Sequence, residues 1–175
     1  MELTDRLRRD HDSQRNKKAI PLLFHVHFLL LFLGQLYNVG MTAPKDINFL
    51  VVDDYFSIRK AVKVSLRNLG FSGEIFEADS ITRARDLLSI KESTSKIQFI
   101  ISDLQMPGGT GIELLQFVRN SHQFKNLPFL MLSSVNDKNQ ILEAISNGVS
   151  SYLFKPWDDK SIESKITNSW LKHGQ

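Results

Sequence analysis

The chain has 175 residues, 42% apolar and 23% charged, which suits one ordinary globular domain plus an appendage and argues against two domains, a disordered chain or a fibre. Its lack of cysteine excludes disulfides, thiolate metal sites and cysteine nucleophiles, and fits a reducing compartment. Of the net charge of +3, the first forty residues contribute +2, and in the rest Lys and Arg are scattered among acids with no basic stripe interleaved with aromatics, so nucleic acid is not an expected partner.

Residues 1–19 are strongly polar, and the chain then turns apolar from Ile20 through Phe28-Leu-Leu-Leu-Phe-Leu33 to Gly34-Gln35. A spanning helix needs about 20 mostly apolar residues, whereas the best part here is shorter and has His25 and His27 inside it. A basic stretch ahead of a short apolar one is also the pattern of a signal peptide, but no small-x-small cleavage site follows. Met41 opens Met-Thr-Ala-Pro-Lys-Asp just before the first strand and reads as a natural beginning. Residues 1–40 are therefore an N-terminal extension with three readings: an upstream segment outside the working protein, a weak membrane anchor over 20–39, or a packed helix. Residues 41–175 form the domain.

From Asp46 the pattern becomes regular. Ile47–Val52 is an apolar, β-branched run, followed by Ile58, Ala61, Val62, Leu66 and Leu69 at helical spacing up to Gly70. Glu74–Ala78 predicts a second strand, and Ser80 a cap for a helix that buries Ile81, Ala84, Leu87 and Leu88. Ile97–Ser102 is the third strand, Pro107–Gly111 a loop by composition, and Ile112, Leu115 and Val118 mark the next helix. Leu127–Leu132 is a fourth, very apolar strand. Asp137 caps a helix carrying Ile141, Leu142, Ala144 and Ile145; Ser150–Phe154 is the fifth strand, and Ile162, Ile166 and Trp170 line the last helix. Strict alternation implies parallel strands with right-handed crossovers, hence an α/β fold with a doubly wound five-stranded parallel sheet.

In such sheets the functional crevice lies at the carboxyl ends of the strands. Asp53 and Asp54 follow strand one, Asp103 strand three, Ser133 strand four and Lys155 strand five. Each could be ordinary; Asp53 or Asp54, for instance, could simply cap the first helix. Together they would crowd three carboxylates, and a pair about 4 Å apart costs roughly 4 kcal/mol at an effective dielectric near 20. A lysine offsets part of that, and a hard divalent cation the rest. An all-oxygen set suits Mg²⁺; His11, His25, His27, His122 and His173 are too scattered to suggest zinc.

With Asp-Asp after strand one, Ile-Ile-Ser-Asp-Leu-Gln-Met-Pro-Gly across strand three, Met-Leu-Ser-Ser after strand four and Lys-Pro after strand five, residues 46–172 resemble the response-regulator receiver family. The spacing from Asp103 to Ser133 and Lys155 is similar to that of its single-domain chemotaxis members. The resemblance implies a flavodoxin-like fold of five βα units with strand order 2-1-3-4-5, an order for which the family is the standard example. It implies that Asp103 accepts a phosphoryl group from a histidine kinase or histidine phosphotransfer protein. Asp53, Asp54, Asp103 and the Gln105 carbonyl would hold Mg²⁺, Lys155 would pair with a phosphoryl oxygen, and Lys155-Pro156 would be cis. Ser133 would be the switch hydroxyl and Tyr152 the aromatic that follows it.

Such a protein is a phosphoacceptor switch rather than an enzyme acting on a separate substrate, and is expected in the cytoplasm. Its output passes to an unknown protein target, since the short stretch after Lys155 leaves no room for a DNA-binding domain. Tyr55, Gly108-Gly109-Thr110-Gly111, Ser134 and Gln105 depart from common family choices around the crevice. Two other readings compete: a flavodoxin-type electron carrier, disfavoured by carboxylates where a phosphate would bind, and a receiver-like scaffold that is never phosphorylated.

Overall fold

The computed structural model describes residues 42–90, 96–134 and 136–173. The expectations for residues 1–40 lie outside them. Element order is β1 (Phe49–Val52), α1 (Phe56–Asn68), β2 (Ile75–Ala78), α2 (Ile81–Ser89), β3 (Phe99–Asp103), α3 (Gly111–Asn120), β4 (Phe129–Ser133), α4 (Lys138–Ser146), β5 (Ser151–Phe154) and α5 (Asp159–His173). The five strands form one parallel sheet in the order β2-β1-β3-β4-β5. No helix among the described residues is long and apolar enough to cross a membrane.

The core divides along the pleat because successive side chains of a strand point to opposite faces. Leu50, Val52, Ile100, Phe129 and Met131 pack with residues of α2, α3 and α4, while Phe49, Val51, Phe99, Ile101, Leu130 and Leu132 pack with Val62 and Leu66 of α1 and Ile162 and Ile166 of α5. β1, β3 and β4 are buried along their whole length. Fully burying a side chain such as Leu, Ile or Phe is worth about 1.5–3 kcal/mol. The three central strands, which carry Asp53, Asp103 and Ser133 at their ends, are thus the most firmly held part of the sheet.

Local signals explain most of the helix starts. Ser80 accepts a hydrogen bond from the Arg83 amide, and Asp137 from the Asn139 amide, both as expected. Neither Asp53 nor Asp54 caps α1: its cap position is Tyr55, which makes no capping side-chain bond. The segment expected as a loop contains a two-residue antiparallel ribbon, Gln105–Met106 with Gly109–Thr110, turned at Gly108 with φ of +79°. On α4, only Ala144 is buried, and Leu142 and Ile145 are 60% and 58% exposed. An apolar repeat on a helix marks a face, but not whether the domain's own core covers it.

Candidate functional site

The carboxyl ends of β1, β3, β4 and β5 open on a cleft of about 600 Å³ lined by Asp54, Asp103, Gln105, Ser133, Ser134 and Lys155 among others. Asp53, at 1% exposure, is bonded to the lining Lys155. The parallel register sets this arrangement: Asp103 pairs with Leu132 and Ser133 with Phe154, so each strand delivers its last residue at nearly the same height.

Lys155 is the organising cation. Its Nζ donates to Asp53 Oδ2 at 2.6 Å and lies 2.8 Å from Asp103 Oδ1. The three side chains are only 10%, 1% and 9% exposed, so the attraction is poorly screened. The Lys155 amide donates to the Ser133 carbonyl at 2.8 Å, tying the loops after β4 and β5 together, and the Lys155-Pro156 peptide is cis. Burial pulls the lysine toward losing its proton, but the hydrogen bonds and charges of Asp103 and Asp53 overcome it and leave its pKa above the ordinary value. Asp103 is also raised, first by burial; its hydrogen bond to Lys155 and that residue's charge offset this only in part, and Asp53 pushes further up. The two shifts have different causes: the lysine is raised by its two carboxylate partners, whereas Asp103 is raised by burial that one shared ammonium does not fully offset.

Asp53, Asp54 and Asp103 each offer one oxygen, all within 4.8 Å of one another. Asp53 Oδ1 accepts from the Tyr55 amide at 2.9 Å, whereas Asp54 Oδ1 is inaccessible to solvent and accepts no hydrogen bond. A buried carboxylate oxygen without a donor is costly unless a cation takes it. Three clustered carboxylates with one lysine and one orphaned oxygen therefore fit a hard, oxygen-seeking divalent cation such as Mg²⁺. The structure thus brings Asp53, Asp54, Asp103, Gln105, Ser133 and Lys155 together at this rim. Tyr152 lies nearby on β5, half-buried against the core, with its ring 5.3 Å from that of Phe154.

Sequence reasoning missed two features. Gly111 approaches the Asp103 backbone so closely that an added Cβ would lie 2.1 Å from the Asp103 carbonyl oxygen and 2.8 Å from Met131 Sδ. The Gly111 amide meanwhile donates to the Leu104 carbonyl at 2.8 Å. Gly111→Ala is expected to cost about 1–3 kcal/mol, the usual range for overpacking a tight site. Urea unfolding checks this, and an unchanged midpoint would mean that the strand end yields freely. The second feature is Arg59, whose Nη1 donates to the backbone carbonyls of Asp53 and Asp54. Nothing in its spacing distinguishes it from a solvated helix arginine.

Fold and rim together define an open α/β protein whose chemistry is concentrated in one acidic, lysine-bridged crevice. The chain belongs to the response-regulator receiver family: the family model described as "Response regulator receiver domain" matches residues 49–167. Over 120 residues it is 38% identical to the chemotaxis protein CheY of Pseudomonas aeruginosa, covering 69% of this chain and 93% of that protein. Over 122 residues it is 35% identical to CheY-3 of Vibrio cholerae, covering 70% and 90%. Among solved structures, the chemotaxis response regulator CheY4 of Vibrio cholerae superposes with a TM-score of 0.61 at 29% identity, covering 71% of this chain and 98% of that one. A response regulator described as putative, from Chloroflexus aurantiacus, gives 0.64 at 25% identity, covering 72% and 98%.

Proposed function

We propose that this protein is a phosphoacceptor switch in which Asp103 takes a phosphoryl group from a phosphohistidine on a histidine kinase or phosphotransfer protein. The observation that carries the reading is the Asp53–Lys155–Asp103 bridge beside the unsatisfied Asp54 oxygen. An Asp103 carboxylate oxygen forms a bond to phosphorus as the donor's phosphorus–nitrogen bond breaks, and the imidazole leaves with the electron pair. Phosphoryl transfer is mostly positioning and charge stabilisation, so a lysine and oriented carboxylates are sufficient equipment. Asp53, Asp54, Asp103 and the Gln105 carbonyl would hold Mg²⁺, which supplies neutralisation of phosphoryl charge.

Lys155 orients the Asp103 carboxylate before transfer and pairs with a phosphoryl oxygen afterwards. Ser133, on the loop held to Lys155 by a backbone bond, offers its hydroxyl to that phosphoryl group and draws the loop with it. Tyr152 then repacks. The exposed apolar residues Leu142, Ile145 and Phe154 on α4 and β5 support an output by altered protein contacts on that side. The phosphoryl group must favour the active arrangement by its differential interaction with the two states. The protein works in the cytoplasm, where such donors are found, and its only catalysis is that of its own phosphorylation and dephosphorylation.

Incubating the protein with acetyl phosphate and Mg²⁺ tests the reading. The expected result is a gain of one phosphoryl mass that survives acid and is lost in base; no gain would leave a scaffold. Asp54→Ala is expected to weaken Mg²⁺ binding by about tenfold or more, a loss of ~1.4 kcal/mol, with phosphorylation slowed and Asp103 still present. Calorimetric titration with Mg²⁺ checks it, and an unchanged affinity would place the metal elsewhere.

A further inference from the structure

Asp54 is unusual among the three acids because its Oδ1 is held by no hydrogen bond. Asp53 is fixed by Lys155 and the Tyr55 amide, and Asp103 by Lys155. The α1 cap gives no help, since Tyr55 makes no side-chain bond there. What holds the segment is Arg59, in the first turn of α1. Its Nη1 donates to the Asp53 carbonyl at 2.8 Å and more weakly to the Asp54 carbonyl at 3.4 Å. Those two carbonyls belong to the peptide planes on either side of the Asp54 Cα. Fixing both planes fixes the backbone dihedrals of Asp54 and so the direction of its Cα–Cβ bond.

The guanidinium is itself anchored. Its Nε donates to Glu77 Oε2 at 3.3 Å, Lys63 binds the other Glu77 oxygen, and the Phe56 ring centroid lies 5.7 Å from Arg59 Cζ. Glu77 pairs with Val51 in the parallel register of β2 and β1, so this brace rests on the strand next to the one that carries the acids. The Arg59 side chain is only 14% exposed.

We infer that Arg59 is a positioning residue for the acidic cleft: its fork, braced by Glu77, presets Asp54 for the divalent cation. This rests on the proposed phosphoacceptor function. The inference differs in sign from a purely electrostatic role. Acting only as a cation near the cleft, Arg59 would repel Mg²⁺, and its removal would tighten binding. As a positioning residue, its removal weakens binding, because groups that orient metal ligands are typically worth about 10–100-fold in affinity.

The test titrates Mg²⁺ alone into the full chain and into Arg59→Met, Arg59→Lys and Asp54→Asn variants, following the amide shifts of Asp54 and Tyr55. Thermal melting without Mg²⁺ reports folding. Arg59→Met is expected to raise the Mg²⁺ dissociation constant about tenfold. Arg59→Lys is expected to recover only part of that, because an ammonium is a point donor and cannot span the carbonyls and Glu77 together. Folded Arg59→Met protein that binds Mg²⁺ as well as the wild type, or better, would overturn the inference. If Arg59→Met fails to fold, Arg59→Lys decides: wild-type affinity overturns the inference, and a raised constant supports it. Wild-type protein that takes no Mg²⁺, and behaves as Asp54→Asn does, would overturn the reading of the cleft and this inference with it.

Discussion

Asp103→Asn is expected to abolish phosphorylation entirely while the protein becomes more stable at neutral pH in the absence of Mg²⁺. The amide is nearly isosteric and still accepts a hydrogen bond from Lys155, but it cannot form an acyl phosphate and carries no charge to desolvate. The pH dependence follows from the raised pKa of Asp103, whose largest cause is burial. The native state binds this proton more readily than the unfolded chain does, so the carboxylate's contribution to stability falls as pH rises from the ordinary value of 3.8 through the raised one. Above the raised pKa the wild type carries that full cost and the asparagine variant none. The variant's advantage should therefore be largest at neutral pH and vanish below the ordinary aspartate value. Urea unfolding at both pH values, with chelator present, measures it. A variant less stable than wild type at neutral pH would mean that the cleft is not crowded with negative charge.

Lys155→Ala is expected to have the opposite effect. Removing one partner of a buried ion pair typically costs about 3–5 kcal/mol, because the remaining charge is left without compensation. Here two carboxylates are stranded, with Asp53 at 1% and Asp103 at 6% exposure. Without Mg²⁺ the loss should approach the lower end of that range, since the Asp103 carboxyl can take up a proton instead. Raised Mg²⁺ should restore part of the stability and permit phosphorylation at Asp103. What should not return is propagation. With the lysine side chain gone, no bond from the β5 loop reaches the phosphoryl group, and amide shift changes near Asp103 should stop short of Tyr152. A full wild-type change around Tyr152 in that variant would remove the coupling role from Lys155.

Most of the sheet and nearly all of the rim were legible in the sequence, for a physical reason. Strands buried on both faces read as continuous apolar runs, and Asp53, Asp103 and Ser133 stand where such runs end, while Lys155 follows the less buried edge strand β5. The family resemblance supplied the strand order and the roles. Periodicity carried no information about which apolar positions the domain itself covers, so Leu142 and Ile145 read like the buried Ala144 and proved exposed. It was equally silent on contacts between side chain and backbone. Arg59 falls among the polar positions of α1, and only the folded loop shows its Nη1 reaching both aspartate carbonyls. The capping role considered for Asp53 or Asp54 failed because Asp53 Oδ2 is engaged by Lys155 and Asp54 Oδ1 is left without a donor.

The proposed switch requires that Asp103, and no other group, receives the phosphoryl group. Borohydride reduces an aspartyl phosphate to homoserine, so treating the acetyl phosphate-loaded protein with borohydride and mapping its peptides reads the acceptor directly. Homoserine is expected at position 103, dependent on Mg²⁺ and absent from Asp103→Asn. Homoserine at Asp53 or Asp54, or an unaltered Asp103 in protein that has gained a phosphoryl mass, would contradict it.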